Sequence, residues 1–367
     1  MKTIALILSL VCGAMALHPN GVAHYLTETV NAAQVSETST HFLHQWKIPR
    51  TGDVLASCTS GSNVAVYNQV DSLRYPRWVV YTIDTLYIYA DGPKSTSTST
   101  VMTVGFGLKL AEVNASATFT NCGITNFWGF NELSGTTVAD YANGLALTVG
   151  GGSTLGSAGI FHNGLTGWAN GYAGISNAVM SGKTAFTHSM VINAQDYANT
   201  VVVSAREGSA IRYHVSAAAG SMNVVIGSNT SYGVIQLSDI SAGSPQFFTI
   251  VYDGAQATNA TKLKVFVNGV AKTVTFTGTI PTSIPTYSLS PIFDMGGYRG
   301  GNYYVKGMFD ESCLMSAATS DANEMDRYRT LFTSTFYTMS AVKSTSFSSM
   351  KVDRWKAYRD AFKPGFK

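Results

Sequence analysis

The sequence is short of charge and, past its first residues, has no long apolar run. Asp, Glu, Lys and Arg make up 12% of 367 residues, against about 25% in an average soluble domain. The formal charge of +3 is small for this length, which argues against nucleic acid as the partner. Beyond the N-terminus no apolar segment reaches the roughly 18 residues that a membrane-crossing helix needs, so no transmembrane segment is expected. There is no Gly-x-Ser-x-Gly elbow, no zinc signature and no phosphate loop, which removes the common nucleophilic, zinc and nucleotide chemistries.

What is present is Gly, Ser, Thr, Tyr and Phe in quantity, the composition of an extracellular β-protein. Lys2, the apolar run Thr3–Met15 and the small-x-small triplet Ala14-Met15-Ala16 form a signal peptide over residues 1–16. A buried N-terminal strand or helix is the alternative. The expected location is therefore secreted, extracellular or at the cell surface. Removing Cys12 with the signal leaves Cys58, Cys122 and Cys313. Cys58 and Cys122 share the N-terminal region and are expected to bridge, leaving Cys313 as a buried free thiol in MFDESCLM. Asn114, Asn229 and Asn259 begin glycosylation sequons.

The clearest local signal is KLKVFVNGVAKTVTFTGT. Leu263, Val265 and Val267 alternate with Lys264 and Phe266, and Asn268-Gly269 supplies the two positive-φ residues of a type I′ turn. Val270, Val274 and Phe276 are expected to form the returning strand. A turn tip that contacts nothing else would make Asn268→Gly nearly neutral. Residues 17–122 read as a smaller β-rich domain, with strands at 54–58, 64–69, 77–83, 86–90, 101–105 and 108–113. The stretch 17–50 is of mixed polarity and carries four of the seven histidines, His18, His24, His41 and His44, whose spacings form no recognised metal-ligand set. Residues 336–367 read as a basic helical tail, in which Val352, Trp355, Tyr358 and Phe362 recur at spacings of three and four. Such a helix either docks on the β-domain or meets a partner, a matrix polyanion or a membrane surface.

Residues 126–332 resemble the laminin-G-like, concanavalin A-like lectin/glucanase jelly-roll family. The landmarks come in order: WGFNELSGTTVADYANG, GLTGWANGYAGISN, FTHSMVINA, QFFTIVYDG, KVFVNG, FDMGGY, YYVKGMFDESCLM and the short helix ATSDANEMDRYRTLF. The resemblance implies an all-β antiparallel sandwich over 123–335. It also implies a calcium ion held by loop oxygens, with Asp140 and Asp294 as ligands. It does not choose among lectins, glycosidases, lyases and adhesion modules.

Glycosidases need two carboxylates a few ångströms apart, and no segment offers the alternating pair. Asp310 and Glu311 are adjacent, so a regular strand turns them to opposite faces. Arg212 and His214 share one face of IRYHV, a thin hint of lyase chemistry and more simply a solvated strand face. For binding the supply is better, because sugars stack on aromatic rings and use amides and Arg for their hydroxyls. Trp168, Tyr172, Tyr197, Tyr232, Tyr298, Arg299, Asn302 and Tyr303 lie on strands or beside Gly-rich loops. The expected function is a non-catalytic carbohydrate-binding or adhesion protein whose partner is a glycan or a cell-surface or matrix component. The alternatives are a structural surface or filament protein, and a glycoside hydrolase or polysaccharide lyase.

Overall fold

The computed structural model describes residues 22–52, 54, 64–68, 74–82, 84–107, 116–159, 161–167, 170–218, 220–287, 289–301, 303–341 and 343–344. The signal segment, Cys58, Asn114, Trp168, Asn302, the strand at 108–113 and the tail helix beyond residue 344 lie outside them. The described residues are nearly all β, and every strand pair among them is antiparallel. No helix of theirs is long and apolar enough to cross a membrane.

Two sheets form a jelly-roll sandwich. The back sheet has eight strands: β7 (Ile124–Trp128), β10 (Thr154–Ala158), β11 (Asn163–Gly167), β13 (Ala185–Ala194), β18 (Gln246–Asp253), β19 (Leu263–Val267), β20 (Val270–Ala271) and β23 (Gly307–Met315). The front sheet has nine: β8 (Thr137–Val138), β9 (Leu147–Gly150), β12 (Tyr172–Ile175), β14 (Thr200–Glu207), β15 (Ala210–Ala218), β16 (Ser221–Ile226), β17 (Tyr232–Gln236), β21 (Thr275–Thr277) and β22 (Pro291–Met295). Alternate residues from both meet in one apolar core, including Phe293, Met295, Tyr213 and Val215 from the front and Ile250, Val265 and Leu314 from the back. Among the described residues three short helices flank it: α1 (Ala117–Thr120), α2 (Asn259–Lys262) and α3 (Asp321–Phe332).

The hairpin forms as expected, with φ 53° at Asn268 and 74° at Gly269. Its second arm does not run on as one strand. β20 ends after two residues, and β21 joins the front sheet beside β17. The turn tip is also packed. A Cβ at Gly269 would lie 3.1 Å from Met325 Cα on α3. Asn268 Oδ1 accepts from Phe247 N at 2.9 Å, so Asn268→Gly removes a hydrogen bond and is not neutral.

The N-terminal strands are β1 (Val22–Val30), β2 (Ser39–Pro49), β3 (Val64–Tyr67), β4 (Arg77–Tyr81), β5 (Thr85–Lys94) and β6 (Thr100–Gly107). They make a sheet β1-β6-β3 and a sheet β2-β5-β4 with a core of their own between them. β24 (Tyr337–Met339) and β25 (Lys343–Ser344) return to pair with β1. β1 and β2 thus lie within the region expected to be β-rich, at positions where no individual strand had been assigned. Their core-facing alternation, Leu26, Val30, Phe42, Trp46, Ile48, is broken by buried Glu28 and His44.

The three-stranded sheet and α1 cover the outer face of the back sheet, where Leu43, Tyr89 and Phe119 pack on Phe127, Cys313 and Met315. α3 is tied to both layers. Its Thr330 Oγ1 accepts from Gln45 N at 3.3 Å, and its Arg327 donates to Ser189 of β13. Lys94 and Asp326, both with fully buried side chains, pair at 2.6 Å. Cys122 is a free thiol in this layer, and it donates to Asp91 Oδ1 at 3.5 Å. Cys58, its expected partner, lies outside the described residues, and Cys313 is free and buried.

One sequence inference about chemistry changes. β23 carries a bulge between its pairings with Met190 and Val191, with Glu311 at φ 39°. An extra residue restarts the alternation, so Asp310 and Glu311 both turn outward to the N-terminal layer. Gln45 Nε2 donates to Glu311 at 2.8 Å and the Tyr89 hydroxyl donates to its other oxygen. Asp310 accepts from Phe161 N at 2.9 Å. Burial, and then the neighbouring Asp310 charge, push the Glu311 carboxyl well above its usual range. The pair is buried beneath a second layer of protein.

Candidate functional site

On the front sheet the outward-facing side chains near the middle are largely buried too, Asp294, Ser204, His214 and Val225 among them. One register row crosses its middle: Gly174, Asp294, Ser204, His214, Val225 and Tyr232, one residue from each of six adjacent strands. Because Phe293, Met295, Ala205 and Tyr213 point into the core, this row and its neighbours Tyr172 and Arg206 point out.

Asp294 organises the row. It is fully buried and lies under Gly174, where a Cβ would come within 1.9 Å of its Oδ1 and 2.8 Å of the Phe293 carbonyl oxygen. Only glycine leaves this room. The loop after β22 folds back over the carboxylate, its ends joined by a bridge between Gly297 and Tyr304. Arg299 donates to Asp294 from its backbone N (3.0 Å) and its Nε (2.9 Å), with Nη2 at 2.8 Å. Arg206 approaches from β14 at 3.8 Å and donates to the Arg299 carbonyl at 2.6 Å. Burial lifts the Asp294 pKa, and the two guanidiniums pull it back toward the ionised form.

Aromatic rings flank this centre. The Arg299 guanidinium lies 5.2 Å from the centre of the Tyr172 ring, and that of Arg206 lies 4.8 Å from the Tyr298 ring. Tyr298 and Tyr303 stack at 6.1 Å with 21° between planes, and Tyr303 is 46% exposed. His214, on the same row, is pushed down to about 4 by burial and then by the Arg206 charge, so it is neutral. Its Nδ1 has no hydrogen-bond partner.

The structure thus brings together Tyr172, Asp294, Tyr298, Arg299 and Tyr303, with Tyr232 and His214 further along the face. Tyr197 is elsewhere: it is 5% exposed and packs on Phe248 in the sandwich core. Arg212 pairs with Glu207 at 2.8 Å. Arg206 and Ser204 escaped sequence reading. The outward alternation Ser204, Arg206 within VVVSARE was visible, but nothing linked it to Asp294 some ninety residues later.

Neither proposed calcium ligand fits a cation. Asp140 Oδ1 accepts from Phe127 N (2.9 Å) and Ala142 N (3.0 Å), and its Oδ2 from Asn126 Nδ2 (2.8 Å). Asp294 is engaged by arginines. Donors surround both carboxylates, where calcium requires six to eight oxygens. Of the sequons, Asn229 is exposed on a turn. The Asn259 amide donates to Gly278 O and accepts from Ile280 N, each at 2.9 Å.

No family model and no curated protein matches the chain. Among solved structures it is similar to domain 4 of AbnA, an extracellular arabinanase from Geobacillus stearothermophilus. The identity is 14% and the TM-score 0.40, over 55% of this chain and 97% of that one. Trypanosoma rangeli sialidase is similar at 12% identity and TM-score 0.41, over 72% of this chain and 45% of that one. The receptor-binding domain of botulinum neurotoxin C/D mosaic serotype follows at 12% and 0.42, over 57% and 51%.

Proposed function

We propose that the chain is a secreted, non-catalytic carbohydrate-binding protein that takes its ligand on the outer face of the front sheet. The observation carrying this reading is the stacked Tyr298–Tyr303 pair, one ring exposed, beside the Arg206–Asp294–Arg299 cluster. An exposed ring offers its face to the C–H surface of a sugar, while guanidinium groups serve its oxygens. Hydrolysis of a glycosidic bond requires a second carboxylate across the bond. Here the single carboxylate is buried and already engaged, which favours binding over turnover.

A glycan array, run with and without calcium beside a reducing-sugar assay, tests this reading. The expected result is binding that calcium does not change and no release of sugar. In the Tyr303→Ala variant binding is lost, while stability stays within about 0.5 kcal/mol of the parent because the residue is at the surface. Turnover would make the chain an enzyme. Silence on both assays would leave a structural protein.

A further inference from the structure

We infer that the sugar bound at this face carries an oxyanion, a carboxylate or a sulfate; this rests on the carbohydrate-binding reading above. The first ground is charge. Arg206 and Arg299 share one acid, Asp294, whose side chain is fully buried while theirs are 18% and 28% exposed. The field that leaves the face there is cationic. Arg212, the next cation along, is balanced by Glu207, each with 21% of its side chain exposed.

The second ground is the balance of donors and acceptors. A sugar hydroxyl both donates and accepts, so a site for neutral sugars profits from an available carboxylate or amide oxygen. Here the one carboxylate accepts two hydrogen bonds from Arg299 and has Arg299 Nη2 at 2.8 Å and Arg206 Nη2 at 3.8 Å as well. What remains in reach of a ligand is donor capacity, on the exposed parts of the two guanidinium side chains. A surplus of guanidinium donors suits a group that only accepts, and carboxylate and sulfate oxygens are such groups.

The third ground is organisation. Asp294 under Gly174, and the Tyr172 and Tyr298 rings against the two guanidiniums, hold both arginines in place before a ligand arrives, which lowers the ordering cost of binding.

The test uses the full chain and two matched pairs of polymers: polygalacturonate against its carboxyl-reduced form, and dextran sulfate against dextran. At least one acidic polymer should bind about tenfold tighter than its neutral match, and less tightly as salt rises. The pair showing the difference identifies the oxyanion. Arg206→Gln leaves Asp294 paired with Arg299 and should keep its melting temperature while losing the preference. Equal affinity within both pairs overturns the inference and leaves the carbohydrate reading standing. An acidic polymer held equally well by Tyr303→Ala also overturns it, as attraction to charge alone. If none of these polymers binds while the array shows a neutral glycan, the inference falls by itself; if no glycan binds anywhere, both readings fall.

Discussion

On the back sheet Asp310 and Glu311 lie under a second layer of protein, whereas on the front sheet Asp294 lies under two arginines. Both faces hide carboxylates, and they solve the cost of doing so differently. At the back, neutral donors from Gln45 and Tyr89 satisfy Glu311, and burial favours its protonated form. At the front, cations satisfy the acid and remain partly in water. A neutralised acid can join two layers permanently. An acid that holds arginines at a surface leaves their outer edges for something else. The comparison separates a face closed by a second layer from one where two arginines stay partly exposed.

Three changes test this contrast, from the largest effect to the smallest. Lys94→Ala would take from buried Asp326 its 2.6 Å ammonium partner and leave only Arg329 at 3.5 Å, in the layer that closes the back face. A loss of about 3–5 kcal/mol is expected in urea denaturation, and a loss below about 1 kcal/mol would mean that the layer is not held by buried charge. Gly174→Ala acts on the other face. Its Cβ would collide with Asp294 and the Phe293 backbone, so a destabilisation of about 1–3 kcal/mol should accompany loss of glycan binding. A silent substitution would show that Asp294 does not depend on that space.

The third change concerns pH. Burial raises the Glu311 pKa above its unfolded value. Its contribution to stability is therefore complete below about 4.3, the unfolded value, and is lost as pH rises through the folded one. The parent should melt at progressively lower temperature between about pH 4.3 and about pH 8, and Glu311→Gln should show a shallower decline over that range. Equal slopes would remove the protonated carboxyl from the description of the back face.

Much of the sandwich was legible because its signals are local. Asn268-Gly269 can make few other turns, and Ser320, whose hydroxyl accepts from Asn323 N at 3.0 Å, caps α3 where the sequence suggested a helix. The Tyr298–Tyr303 loop was legible as aromatics beside glycines. What could not be read depends on distant partners. β1 and β2 were hidden because Glu28 and His44 occupy core positions, and polar residues there erase the period-2 pattern. The Glu311 bulge reversed an inference from regular alternation. Arg206 became part of the site only through pairing of β14 with β22.

The return of the chain to β1 has a mechanical consequence. His24 pairs with Ser344 at one end of this ladder, and Val30 pairs with Tyr337 at the other. Tension applied just outside residues 22 and 344 would pull both strands from the same end. Antiparallel pairs loaded in that way part like a zipper, one rung after another, and do not slide with all rungs resisting together. The sandwich, threaded between the two strands, carries none of the load until they have separated. A ligand bound on the front face would feel a pull on these points only after the β1 ladder had opened.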